Sequence, residues 1–115
     1  MTDITHGAVA ILPATDLAAS RAFYERLGFK VSAFYPHHGY CIMHDANGAS
    51  LHLTAVTPGS VDPARNTHGV YLYSADVAAL AEAMGVGAEP KPWGLLEFAV
   101  SDPDGTLIRV GWPID

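Results

Sequence analysis

Cysteine is nearly absent from this chain. Cys41 is the only one among 115 residues, so no intrachain disulfide can staple the fold. Positive charge is scarce as well: six Lys and Arg stand against twelve Asp and Glu, a formal charge of −6 that disfavours phosphate backbones and anionic membrane surfaces as partners. If charge selects a ligand at all, it selects a cationic one. No apolar run approaches the ~20 residues needed to cross a bilayer. Nothing in the first thirty residues reads as a basic stretch followed by a long apolar one, and the expected location is the cytoplasm. Neither nucleic acid nor membrane is an expected partner. A phosphate-binding glycine loop is missing too, because Gly85-Val86-Gly87 follows a helical stretch rather than opening one. No Ser, Thr or Cys stands in a motif that pairs it with an activating base, so no catalytic residues are expected.

What is present suits a folded domain. Half of the residues are hydrophobic and 16% charged, which supports a buried core, and 115 residues fit one domain. Ala8-Val9-Ala10-Ile11-Leu12, closed by Pro13, reads as a buried strand. From Asp16 the period changes: at about 100° per residue, Leu17, Ser20, Phe23, Tyr24 and Leu27 share one arc of a helix, with Thr15 or Asp16 to cap it and Gly28 to end it. Strands follow near Phe29–Tyr35, Tyr40–His44 and Ser50–Val56, the last two joined by an Asp45-Ala46-Asn47-Gly48 hairpin turn. Within Tyr40-Cys41-Ile42-Met43 the thiol reads as a buried structural one. Residues 57–66, with two prolines and a glycine, read as a linker.

The pattern then restarts. Val70–Ser74 reads as a strand, Asp76 opens a helix facing inward with Val77, Leu80, Ala81 and Met84, and strands follow at Leu96–Ser101 and Leu107–Trp112 around an Asp102-Pro103-Asp104-Gly105 turn. A strand between Gly87 and Lys91 has weak support. Asp16 and Asp76 stand 60 residues apart, and the turn glycines Gly48 and Gly105 stand 57 apart. Such registration implies two similar β-α-β-β-β units in one core, one spanning about 4–56 and the other about 67–113.

Leu12-Pro13-Ala14-Thr15-Asp16-Leu17, Ala22-Phe23-Tyr24-Glu25-Arg26-Leu27-Gly28-Phe29, Pro92-Trp93-Gly94-Leu95-Leu96-Glu97-Phe98-Ala99-Val100 and Asp102-Pro103-Asp104-Gly105, in that order, resemble the glyoxalase/bleomycin-resistance/dioxygenase (vicinal oxygen chelate) superfamily. The resemblance implies an α+β fold of paired β-α-β-β-β modules whose sheets wall a ligand cavity, usually in dimers. Metal-using members take ligands from strands near the module centres. The repeat places the matching positions at Val9, His52, Gly69 and Arg109. Only His52 can ligate. A divalent site needs about three N or O ligands, and the permanently charged Arg109 would repel the ion. His6 lies three residues from Val9, His68 is one residue off the Gly69 position and so on the opposite face, and His37 and His38 read as solvated loop imidazoles. No metal and no cofactor are expected.

Residues two apart on a strand share a face. If Gly69 faces the cavity, Tyr71 and Tyr73 do too, either as ligand wall or as ordinary core. His52 then faces inward with Ser50 and Thr54, and Arg109 with Leu107 and Gly111. Trp93 sits in a Lys91-Pro92-Trp93-Gly94 loop, and the resemblance makes it a stacking platform for a flat ligand. Tyr40 and Phe34 resemble the family's other aromatic contacts. Glu97 reads as a structural carboxylate paired across the sheet with Arg109. The expected function is metal-free binding of a small, partly aromatic, bleomycin-like compound without turnover, through Trp93, His52, Tyr71, Tyr73, Tyr40, Phe34 and Arg109, in a homodimer with grooves at the subunit interface. A metal-dependent lyase, isomerase or dioxygenase of the same superfamily is the alternative reading, and a non-binding interaction protein a third.

Overall fold

The computed structural model describes residues 6–115. Chain order is β1 (Ala10–Ala14), α1 (Leu17–Arg26), β2 (Lys30–Tyr35), a 3₁₀ turn (Pro36–His38), β3 (Tyr40–His44) and β4 (Ser50–Ala55). The second half repeats it with β5 (Gly69–Tyr73), α2 (Val77–Ala83), β6 (Glu89–Pro90), β7 (Leu95–Ser101) and β8 (Leu107–Pro113). The sheets have matching strand orders, β1-β4-β3-β2 and β5-β8-β7-β6, each with one parallel pair at its edge. This is the expected α+β fold, with the sheets open rather than closed into a barrel.

The helical arc forms as the period demands. Ser20, Phe23 and Tyr24 on α1 and Leu27 at its C-cap are buried, and Asp16 caps the helix start by accepting from the Ala19 N–H at 3.1 Å. Thr15 does not share that task. Its backbone N–H and hydroxyl both donate to Asp104, at 3.1 and 2.6 Å. Asp76 precedes α2 without capping it; its carboxylate accepts instead from the Asn47 amide across the module boundary, at 3.4 Å. The first strand is displaced from its expected position and carries Pro13 inside it. An edge strand tolerates proline because one side of its backbone has no ladder partner to lose. The weakly supported strand near Gly87–Lys91 exists as the two-residue β6.

Leu12, Cys41, Met43, Leu51 and Leu53 from one sheet, Leu72, Phe98, Ile108 and Val110 from the other, and Tyr24, Leu27, Val77 and Ala81 from the helices form one core cluster. Cys41 is fully buried, and that burial pushes its thiol pKa up. The turn after β7 is part of this interior. Asp102 accepts from the Tyr24 hydroxyl at 2.6 Å and from the backbone N–H groups of Asp104 and Thr106, both at 2.9 Å. Each hairpin turn thus reaches the helix start of the other module, Asn47 to Asp76 and Asp104 to Thr15. The molecule is flat, 45 × 41 × 22 Å. One face of each sheet carries core and helix, and the other lies open.

Candidate functional site

β6 and β7 are joined by Lys91-Pro92-Trp93-Gly94. The Gly94 N–H donates to the Lys91 carbonyl at 3.0 Å and the Lys91 N–H to the Leu95 carbonyl at 2.8 Å. Gly94 has φ +83°, which closes the loop in the bulged three-residue geometry that glycine permits. Trp93 is thereby lifted off the sheet and is 59% exposed. Its ring is nevertheless tied down, because Nε1 donates to Oε1 of Glu97 at 3.1 Å.

Glu97 is the centre of the site. It is only 2% exposed, and three donors converge on its carboxylate. The Tyr71 hydroxyl and the Trp93 indole both donate to Oε1, at 2.7 and 3.1 Å, while Nη1 of Arg109 donates to Oε2 at 3.0 Å. Burial alone would raise this carboxyl's pKa. The Tyr71 hydrogen bond, with help from Trp93 and Arg109, outweighs burial and holds the group below the ordinary carboxylate value. The reciprocal effect falls on Tyr71, whose phenol is pushed up to about 12 by burial first and by donation to Glu97 second. Tyr73 lies beside Tyr71 with ring centroids 4.7 Å apart and is itself 61% exposed. The expected Glu97–Arg109 pair exists, but Glu97 also joins Tyr71 and Trp93. The missed signal was alternation: Glu97 and Arg109 lie on the strand face that also carries Tyr71, so any polar hub there had to include its phenol.

Sheet one carries a second, smaller constellation. The Tyr40 hydroxyl lies 2.7 Å from Nδ1 of His52, with the rings edge to face at 5.3 Å. Thr54 shares their face through the Tyr40–Thr54 pairing. Of the seven expected ligand-binding residues, Tyr71, Tyr73 and Arg109 therefore gather on one sheet, with Trp93 in the loop beside it tied to Glu97, and Tyr40 and His52 on the other. Phe34 joins neither group. A bulge between Val31 and Ala33 shifts the register so that Phe34 pairs with Cys41 and lies on the helix side, where the Arg21 guanidinium sits 5.9 Å over its ring. There it borders a groove of about 340 Å³ with Leu17, Ala18, Arg21 and Glu25.

The four positions the repeat singled out, Val9, His52, Gly69 and Arg109, hold a donor set that does not fit a divalent ion. Val9 and Gly69 offer no donor, Arg109 is spent on Glu97, and His52 has Tyr40 at Nδ1. Among the described residues no three His, Cys, Asp or Glu groups converge on one point. His68 bonds to Asn66 instead, and His6, His37 and His38 are exposed.

Two β-α-β-β-β modules with one strand order, each opening a face of mixed phenol, imidazole and guanidinium groups, define the paired-module α+β class. The Glyoxalase/Bleomycin resistance protein/Dioxygenase superfamily model matches residues 4–110, and the chain belongs to that superfamily. A bleomycin-binding protein solved in complex with bleomycin is 28% identical, with a TM-score of 0.80 over 96% of this chain and 100% of that one. A bleomycin resistance determinant encoded on the transposon Tn5 is 29% identical, with a TM-score of 0.79 over 95% and 98%. TnmS3, an antibiotic-binding protein from Streptomyces sp. CB03234, is 28% identical, with a TM-score of 0.72 over 99% and 100%. No curated protein sequence matches the chain. No helix among the described residues is long and apolar enough to cross a membrane.

Proposed function

We propose that this protein binds a small, flat, partly aromatic compound of the bleomycin type and holds it without turnover, without metal, as a cytoplasmic homodimer. The observation that carries the reading is Trp93: a large ring left mostly in solvent, yet anchored through its N–H to a buried carboxylate. An indole with no ligand to meet gains by burying its area, so an exposed and tethered one suits stacking. Tyr73 extends the aromatic surface, and the similarity to bleomycin-binding and antibiotic-binding proteins supports the ligand class. A sequestering protein lowers free ligand by affinity and abundance, and it needs no catalytic group.

The homodimer follows from enclosure. Drug-sized ligands are mostly buried in their sites, whereas Val9, Ile11, Tyr73, Trp93 and Trp112 are exposed. A groove of about 640 Å³ lies instead near Ala22, Met84 and Pro103. A second copy over the open faces supplies the missing wall and buries about 1,600 Å² in total, as stable interfaces do.

Calorimetry with metal-free bleomycin tests the proposal, on protein whose metal content is measured alongside. Trp93→Ala is expected to keep its melting temperature and lose about 2–3 kcal/mol of binding, a thirty- to hundred-fold weakening. Unchanged affinity with lowered stability assigns the ring to packing instead. Sedimentation showing a monomer at micromolar concentration removes the shared groove.

A further inference from the structure

We propose that Glu97 is the positioning residue of this platform: its buried carboxylate fixes the plane of the Trp93 indole before any ligand arrives. The inference rests on reading Trp93 as the stacking surface. The loop holds the Trp93 backbone, but with 59% of the residue in solvent there is little packing to hold its ring. Exposed side chains change rotamer within picoseconds to nanoseconds. Among the described residues, the indole makes one side-chain hydrogen bond, to Oε1 of Glu97.

Glu97 is suited to the task because it cannot move. It sits within β7, paired with Glu89 on one side and Gly111 on the other. A carboxylate serving only as partner to Arg109 would need one donor. Here two neutral donors from different strands and loops share its other oxygen, so one group sets the positions of indole and phenol together. With the ring already ordered in the free protein, its rotamer freedom is lost on folding and not on binding.

The test uses a Trp112→Phe background, which leaves Trp93 as the sole indole of the two in the chain. Glu97→Met keeps the side-chain length and removes every acceptor. Glu97→Gln loses the ion pair with Arg109 but retains an amide oxygen for the indole. In Glu97→Met, time-resolved anisotropy is expected to show a mobile indole, and metal-free bleomycin to bind about ten-fold more weakly. Glu97→Gln is expected to restore both. A role confined to the ion pair predicts that the two variants behave alike, and that result overturns the proposal, as does an immobile indole in Glu97→Met. Should Trp93→Ala bind bleomycin undiminished, the stacking reading fails while the anisotropy still decides the positioning. Should Glu97→Met not fold, exchange of the Trp93 indole N–H in the wild-type protein decides it: protection supports the tether, and exchange as fast as in free indole removes it.

Discussion

Tyr40 and Glu97 occupy the same station in the two modules. Tyr40 pairs with Thr54 and reaches two residues back along β4 to His52; Glu97 pairs with Gly111 and reaches two residues back along β8 to Arg109. The difference lies opposite them. Thr54 fills its place on β4, whereas Gly111 leaves room on β8 for the Tyr71 phenol to cross and meet Glu97.

Gly111→Ala should therefore disturb the site more than the fold. A Cβ there collides with the Tyr71 hydroxyl, the movable end of a side chain, and lies 3.4 Å from the Leu96 carbonyl oxygen. The expected cost is about 1–3 kcal/mol in urea denaturation. Spectrophotometric titration should show the Tyr71 phenol falling from about 12 toward its ordinary value of 10.0, because the bond to Glu97 and part of its burial are lost.

Acid should remove the charge of the Glu97 hub late, while a carboxyl oxygen still accepts from the indole as the amide of Glu97→Gln does. The folded-state pKa of Glu97 lies below the ordinary 4.5, so its stabilisation is fully present above that value and declines as pH falls through the depressed range below it. Trp93 emission is expected to stay constant down to that range and change beneath it. Glu97→Gln should abolish this step, and an unaltered acid transition in that variant would assign it to another carboxylate.

Tyr24→Phe tests the joint between modules. The change removes the 2.6 Å donation to Asp102 and leaves one buried carboxylate oxygen without that donor. A loss of about 1–3 kcal/mol is expected by chemical denaturation. A variant within 0.5 kcal/mol of the parent, an ordinary surface effect, would show that water replaces the phenol.

The two turn glycines should respond unequally to alanine. Both have positive φ, +94° at Gly48 and +83° at Gly105, which alone costs about 1–2 kcal/mol. Nothing lies within 4 Å of a Cβ at Gly48, whereas at Gly105 it meets the backbone of Pro63. Gly105→Ala is expected to lose at least about 3 kcal/mol in total. Equal melting temperatures for the two variants would mean that the 57–66 segment yields easily.

The features legible in the sequence were those set by local period and punctuation. The arc of α1 repeats often enough to fix its buried side, and the recurrence of Asp16 at Asp76 and Gly48 at Gly105 exposed the duplicated architecture. Parity along β5 and β8 placed Tyr71 and Arg109 on one face. The resemblance that grouped Phe34 with the aromatic contacts could not place its side, because the extra residue of the bulge that sets it leaves no mark in composition. Pro13 misled because an edge strand can accept a residue that a central strand cannot. Thr15 and Asp76 look like helix caps in isolation, yet both serve contacts to the opposite module, and only the assembled fold shows such partners. Glu97 was legible as an acid opposite an arginine, but its link to the Trp93 ring depends on how a four-residue loop folds back.

The alternation along β5, β7 and β8 sends Leu72, Phe98, Ile108 and Val110 to one side and Tyr71, Tyr73 and Arg109 to the other. On the proposed reading, most residues that would select a ligand are therefore not the residues that hold the chain together, although they are interleaved in the same strands. Drift in ligand preference can proceed through every second position with little cost to folding. Glu97 is the exception, buried in the sheet and wired to the surface at once, so it is where a change of taste and a loss of stability arrive together.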